Sequence, residues 1–245
     1  MFHKQRKVLF LIWLLITLLG MGCLADPEKD FQAGMDAFSR QDYSTALKKW
    51  KPLAEQGNTG AQTNLGVMYY DGLGVTRDYG EAFKWYEMAA MQGYAEAEYN
   101  VGVAFAQGHG TNQDFREAQR WYELAAKQGY TPAQLLLAEM YFRGTGVAVD
   151  YEKAVRWYQE AAQGGEVAAA YILGSVYMAG QGVARDPVQS YFWLTVAASE
   201  GDEKTRKNAL NSRELVAQQM TPAQIAEAEK LAKDWKPKTG NAPQG

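Results

Sequence analysis

Histidine and cysteine, the side chains best suited to nucleophilic or metal chemistry, are nearly absent from the sequence. The chain has one cysteine, Cys23, and two histidines, His3 and His109. A structural zinc site needs four Cys or His ligands, and a nucleophilic Cys or Ser needs a base beside it. No Gly-x-Ser-x-Gly nucleophile elbow occurs either. We therefore predict no enzyme activity, no catalytic residue, no metal site and no cofactor.

Carboxylates recur at a fixed spacing, which distinguishes them from a paired acid and base. They follow one another at steps of 36 residues, each just before an apolar pattern of helical period: Asp78, Asp114, Asp150 and Asp186. An aspartate in that position accepts hydrogen bonds from the free N–H groups of the first helical turn. We predict that these four aspartates cap helices and do not act as general acids or bases.

A pair of glycines precedes each of these aspartates, as in Gly72-Leu73-Gly74. A dinucleotide-binding loop needs a third glycine and a strand before it, whereas these pairs follow a helical pattern. We predict that they form turns. His109 occupies the variable slot of the second pair, and we predict that it is a solvent-facing loop residue.

The charge balance argues against a nucleic-acid partner. The chain has 25 Lys and Arg against 28 Asp and Glu, and 47% of its residues are hydrophobic. Nucleic-acid surfaces are built from clustered basic side chains that neutralise phosphates, and the one short basic run lies at the extreme N-terminus. The composition predicts a globular protein that binds neither nucleic acid nor metal.

The first 25 residues have the layout of a targeting segment. A basic start, Lys4-Gln5-Arg6-Lys7, precedes an uncharged apolar run from Val8 to Gly22, which is shorter than the roughly 20 residues of a spanning helix. We predict a signal peptide cut after Ala25 and a periplasmic or secreted protein of the bacterial envelope. Two alternatives stay open: lipidation of Cys23, which would make the chain a lipoprotein, and a retained N-terminal anchor.

An internal repeat sets the architecture. Aromatic pairs recur at steps of 36 residues, in phase with columns of Ala and Gly: Trp85-Tyr86, Trp121-Tyr122, Trp157-Tyr158 and Trp193-Leu194. The apolar residues within each unit follow the period of two amphipathic helices. A two-helix unit cannot bury both apolar faces alone, so the units must stack. We predict an all-α protein, a right-handed α-solenoid of stacked helical hairpins with terminal capping helices.

The unit from Ala61 to Gly93 contains Ala-x3-Leu-Gly-x2-Tyr-x2-Gly-x-Gly-Val and then Trp-Tyr-x2-Ala-Ala-x2-Gly. This pattern resembles the Sel1-like repeat, a relative of the tetratricopeptide repeat, with departures at Ala138, Ser190 and Leu194. The predicted organisation is a signal peptide at 1–25, a tetratricopeptide-like hairpin at 26–58, four repeats at 59–201, capping helices at 202–236 and a disordered tail at 237–245.

The resemblance implies that a protein or peptide partner binds along the first helix of each unit, on the concave face. The positions that this register places there are Asn64, Val67, Tyr70, Asp71, Tyr99, Asn100, Gln107, Leu135, Glu139, Phe142, Arg143, Tyr171 and Met178, with Thr63, Val103 and Ser175 beside them. Aromatic and Met side chains among polar groups suit an interaction surface, and amides such as Asn64 and Asn100 can hold a peptide backbone. The alternative is that some of these residues pack against the neighbouring unit.

The predicted function is that of an exported scaffold or adaptor that binds a partner protein or peptide. One alternative is an immunity or inhibitor protein that blocks a single secreted effector. Another is a cell-wall-active or β-lactam-binding protein, because some cysteine-rich Sel1-like proteins are linked to β-lactam binding or hydrolysis. The paired cysteines of those proteins are absent here.

Overall fold

The computed structural model describes residues 26–238, and twelve α-helices with no strand make up that part of the chain. The helices are α1 (Pro27–Ser39), α2 (Tyr43–Glu55), α3 (Thr59–Asp71), α4 (Tyr79–Ala90), α5 (Ala95–Gln107), α6 (Phe115–Lys127), α7 (Thr131–Arg143), α8 (Tyr151–Gln163), α9 (Val167–Ala179), α10 (Pro187–Glu200), α11 (Glu203–Ala217) and α12 (Pro222–Asp234). The predicted signal peptide and its Cys23 lie outside the described residues.

Each helix packs against the next along the chain, so the hairpins α1–α2 to α9–α10 follow one another as a solenoid. Helix α10 also contacts both α11 and α12, which together cover the last hairpin. The all-α solenoid predicted from the repeat is therefore confirmed. Among residues 26–238, no helix is long and apolar enough to cross a membrane.

The helix ends follow the predicted capping chemistry. The carboxylates of Asp78, Asp114 and Asp186 each accept two backbone N–H bonds from the next helix, and that of Asp150 accepts one from Lys153. The expectation of an N-cap at Thr131 is wrong. Residue 130 has the extended cap conformation and Thr131 is already helical, because the turn that ends α6 closes one residue earlier than a Thr-Pro start suggests.

One column of large side chains fills the inside of each hairpin. Its members lie at steps of 36 residues and are all buried: Trp50, Tyr86, Tyr122, Tyr158 and Leu194. Each faces a small residue on the first helix of its own hairpin. A methyl group added at Gly102 would lie 2.6 Å from the Tyr122 ring, and one at Gly174 would meet Leu194 in the same way. Small residues on first helices therefore make room for the aromatic column.

The second glycine of each loop holds neighbouring units together. Gly74, Gly110, Gly146 and Gly182 lie against the first residue of the second helix in the preceding hairpin, respectively Tyr43, Tyr79, Phe115 and Tyr151. The contacts include the backbone of those residues, so a side chain on the glycine could not be accommodated by a rotamer change. The loops predicted to be simple turns are thus also contacts between units.

Buried polar side chains form a second repeated contact. The Gln62 amide donates to the Ala54 carbonyl at 3.0 Å, and the Gln134 amide donates to the Ala126 carbonyl at 3.1 Å. Glu98 occupies the same position in the unit between them, is 4% exposed, and accepts from the Gln128 amide at 2.7 Å. Burial raises the pKa of Glu98, and the Gln128 hydrogen bond opposes that shift only in part.

The Glu98→Gln chain is expected to be more stable than the wild type at neutral pH by about 1 kcal/mol. A raised carboxyl pKa in the folded state means that folding binds protons, so the wild type loses stability as the pH rises past the unfolded value and through the folded pKa. Glutamine removes that loss and supplies the amide donor present at positions 62 and 134. Urea unfolding at pH 7 and pH 4 measures the effect, which should shrink in acid. An equal difference at both pH values would contradict this origin.

The C-terminal segment returns to the last repeats. Trp235 packs edge-on to the buried Trp193 at 6.3 Å, and the Lys238 N–H donates to the Gln163 carbonyl at 2.7 Å. The disordered tail expected from residue 237 therefore does not begin there, because Pro237 and Lys238 lie against α8. Residues 239–245 lie outside the described part of the chain.

Candidate interaction surface

The accessible residues of α3, α5, α7 and α9, here called the first-helix surface, contain every position of the predicted site. None of the predicted site residues is buried: Asp71, Gln107 and Arg143 are exposed, and Asn64, Val67, Tyr70, Tyr99, Asn100, Leu135, Glu139, Phe142, Tyr171 and Met178 are half-buried. Of the three positions beside them, Val103 and Ser175 are accessible. Thr63 is not, because it is 1% exposed and its hydroxyl donates to the Thr59 carbonyl.

A hydrogen-bonded group links the first two Sel1-like units at this surface. The Tyr70 hydroxyl lies 2.8 Å from Gln107 Oε1 and 3.0 Å from His109 Nδ1. The amide oxygen can only accept, so the single hydroxyl proton goes to Gln107 and the imidazole Nδ1–H donates to the Tyr70 oxygen. Burial raises the pKa of Tyr70, which keeps the phenol protonated as this arrangement requires.

His109 does not face the solvent as expected. Its ring is half-buried and stacks on Tyr79 at 4.2 Å with an angle of 8° between the planes. The Arg77 guanidinium lies over the other part of this group, 5.5 Å from the Tyr79 ring. His109 and Tyr70 therefore join α3, the start of α4 and the loop after α5, which is a structural role that the loop position of His109 did not indicate.

Phe142 also serves the contacts within the repeat. Its ring packs edge-on to Tyr151 at 5.2 Å and to Tyr158 at 6.2 Å. The alternative reading of the surface, in which some members pack internally, thus applies to Tyr70 and Phe142. Replacing either ring would disturb the hairpin as well as the surface, so neither is suited to a test of binding alone.

The two predicted amides lie on neighbouring first helices. Asn64 on α3 makes a long contact from Nδ2 to the Met35 sulfur at 3.5 Å, and Asn100 occupies the equivalent half-buried position on α5. Leu136 and Ile172 stand at this position on α7 and α9. The amide groups are therefore confined to the N-terminal half of the first-helix surface, while its C-terminal half is apolar.

The structure adds an apolar groove that the sequence did not indicate. It has a volume of about 310 Å³ and lies where α11 departs from α9, with Met178, Leu194, Leu215 and Val216 among its lining residues. Leu215 is 62% exposed. Because α11 carries no repeat motif, only the angle at which it packs opens this groove at the end of the first-helix surface.

Charges are distributed unequally between the two faces of the four central hairpins. The first helices carry Asp71, Glu96, Glu98 and Glu139 against the single cation Arg143. The second helices α4, α6 and α8 carry acidic and basic residues in equal number, and several of them form ion pairs one turn apart, such as Lys84 with Glu81 and Arg120 with Glu117. The first-helix surface is therefore the acidic one. No cluster of His, Cys, Asp and Glu suited to a metal occurs within residues 26–238.

Stacked two-helix units that present one continuous accessible face define a helical-repeat protein of the solenoid class. The sequence profile of the Sel1 repeat matches residues 59–94, 95–130, 131–166 and 167–202, which is more than half of the chain. The chain belongs to the Sel1 repeat family, as its sequence pattern predicted. No match to a curated protein was found.

Solved structures share this architecture. A protective antigen of uropathogenic Escherichia coli with an SLR fold is 29% identical, with a TM-score of 0.73 over 85% of this chain. The match covers 46% of that antigen, so the present chain spans about half of its length. A Sel1 repeat protein from Oxalobacter formigenes is 25% identical over 83% of this chain and 98% of its own, with a TM-score of 0.68. A Sel1 repeat protein from Klebsiella pneumoniae, 19% identical over 78% of this chain and 93% of its own at a TM-score of 0.51, shares the fold.

Proposed function

We propose that this chain is a non-enzymatic scaffold of the bacterial envelope that holds a partner protein or peptide along its first-helix surface. The observation that carries the proposal is the separation of two sets of repeated positions. The aromatic and small residues of the motif are buried in the hairpins, while the variable positions of α3, α5, α7 and α9 form one accessible row. A preformed row of this kind binds with little loss of conformational entropy.

The chemistry of the row suits an extended polypeptide. The amides of Asn64 and Asn100 can each donate to and accept from a main chain, and Leu135, Tyr171 and Met178 follow with partly accessible apolar surface. Export to the envelope is supported by the basic and apolar pattern of residues 4–22. Membership of the Sel1 repeat family supports the scaffold role.

The test replaces one column of the first-helix surface and one matched column of the second helices. Val67, Val103 and Glu139 lie at steps of 36 residues on α3, α5 and α7. Two apolar residues and a glutamate also lie at that spacing on α4, α6 and α8, where all are exposed: Met88, Leu124 and Glu160. The first triple alanine variant is expected to retain partners from an envelope extract about tenfold less well than the wild type, and the second variant to retain them equally well.

Circular dichroism of both variants provides the folding control, and mass spectrometry identifies what is retained. Equal retention by both variants would contradict the proposal. Hydrolysis of a chromogenic β-lactam or of peptidoglycan fragments by the purified chain would contradict its non-enzymatic part. A single tightly bound effector among the retained proteins would assign the chain to the immunity or inhibitor class and exclude a general adaptor.

A further inference from the structure

One carboxylate of the first-helix surface stands apart from the others. Glu96, in the first turn of α5, is half-buried. Burial raises its pKa, and the Tyr94 hydroxyl, which donates a hydrogen bond to it, opposes that shift. Within residues 26–238, no Lys or Arg forms an ion pair with this carboxylate, although acidic residues on the second helices do form such pairs. Glu96 thus combines partial burial with an unmet demand for a cation.

Tyrosine rings surround this carboxylate. Tyr99 lies 5.3 Å from Tyr130 at an angle of 51° between the rings, and 5.9 Å from the buried Tyr122. The charge of Glu96 contributes to the raised pKa of both Tyr94 and Tyr130, which places all three groups close together. The rings of Tyr94, Tyr99 and Tyr130 are half-buried and keep accessible surface. We call these three rings and the Glu96 carboxylate the tyrosine pocket.

The tyrosine pocket is not part of the repeat pattern. The units on either side have other residues at the corresponding positions, namely Asn58, Gly60 and Thr63 before it and Pro132, Leu135 and Glu166 after it. Those units stack in the same way, so stacking does not require the pocket. A glutamate also stands in the first turn of α8, at Glu152, where it is exposed. Favourable placement at a helix N-terminus therefore explains neither the burial of Glu96 nor its three tyrosine neighbours.

We propose that the tyrosine pocket binds the Arg or Lys side chain of a partner peptide, with the carboxylate of Glu96 as counter-ion and the rings of Tyr94, Tyr99 and Tyr130 as cation–π contacts. This inference rests on the proposed function and names the chemistry of the partner. It agrees with the excess of acidic residues on the first helices. Arg is favoured over Lys, because its planar guanidinium stacks on aromatic faces while it pairs with a carboxylate.

The physical gain comes from pairing a charge that is already partly desolvated. The carboxylate of Glu96 has lost part of its hydration on folding, so an incoming cation recovers electrostatic energy at less desolvation cost than at an exposed glutamate. The rings add attraction through their negative faces. A basic residue at one point of an extended peptide would also fix the register of that peptide along the first-helix surface.

The test uses N-acetyl-arginine methylamide as the probe and its uncharged analogue N-acetyl-citrulline methylamide as the matched control. Both are titrated into the described chain and followed by nuclear magnetic resonance. The arginine probe is expected to shift the signals of Tyr94, Tyr99 and Tyr130 saturably, and the citrulline probe to bind about tenfold more weakly. Glu96→Gln is expected to reduce arginine binding about tenfold, whereas Glu152→Gln, at the same helical position on α8, leaves it unchanged.

Three results would overturn the inference: no saturable shift with the arginine probe, equal binding of arginine and citrulline, or equal binding by the wild type and Glu96→Gln. Tighter binding of tetramethylammonium than of the arginine probe would also overturn it and assign the pocket to a small quaternary amine. Partner capture that Glu96→Gln leaves unchanged would remove this inference and leave the scaffold function standing. Arginine binding without any captured partner would do the reverse.

Discussion

Gly110→Ala is expected to lower the free energy of unfolding by about 3 kcal/mol or more, the largest effect of any single methyl group we expect at the chain's loops. Gly110 has φ +76°, and an added Cβ would lie far inside van der Waals contact with the Tyr79 carbonyl and 3.0 Å from Phe83 Cβ. The obstacle is backbone, so no side-chain rotation relieves it. The loop must move away from α4 and loosen the contact between two units.

Gly93→Ala is the matched control for this prediction. Gly93 also has a left-handed φ, +80°, but nothing lies within 4 Å of the added Cβ. Alanine there should cost only about 1 kcal/mol, the strain of the left-handed backbone alone. Urea unfolding followed by circular dichroism compares the two variants. Equal losses would show that close approach at Gly110 contributes nothing beyond backbone strain.

The same variant has a consequence for the first-helix surface. Gly110 follows His109 directly, and His109 holds Tyr70 by a hydrogen bond and Tyr79 by ring stacking. Displacing this loop therefore separates the groups that join α3 to α5. The loop glycines thus connect the packing between units to the geometry of the row that we propose as the binding site.

Trp50→Ala is expected to cost about 3–5 kcal/mol and to release the N-terminal hairpin while the rest of the solenoid stays folded. Trp50 is 1% exposed, packs on Phe31 and Phe38, and donates from Nε1 to the Phe31 carbonyl at 3.1 Å. Alanine leaves a cavity over Gly34 and removes that hydrogen bond. Because each hairpin touches only its neighbours, the loss falls mainly on α1 and α2.

Hydrogen exchange measures this local effect directly. Amides of α1 and α2 should lose protection in Trp50→Ala, whereas those of α6 to α10 should keep it. Trp85→Ala is the control, because Trp85 is half-buried on α4 and should cost less and leave α1 protected. A uniform loss of protection across all hairpins in Trp50→Ala would contradict the one-dimensional stacking and indicate a single cooperative unit.

The sequence determined the features that depend on residues close together in the chain. The 36-residue period placed Tyr86, Tyr122 and Tyr158 in one buried column, and the aspartates before the second helices cap them as expected. Capping and amphipathic periodicity act over three or four residues, so a local pattern is enough to predict them. The boundary at Thr131 was wrong by one residue, since turn geometry also decides where a helix starts.

Only the tertiary structure decided which surface residues meet. Tyr70 reaches His109, the rings of Tyr99 and Tyr130 converge near Glu96, and Thr63 is hidden although its register suggested exposure. The groove beside α11 depends likewise on how that helix packs after the repeat ends. These pairs lie tens of residues apart, and their distances are set by the angle between successive hairpins. That angle is the sum of many packing contacts and is not encoded in any short segment of sequence.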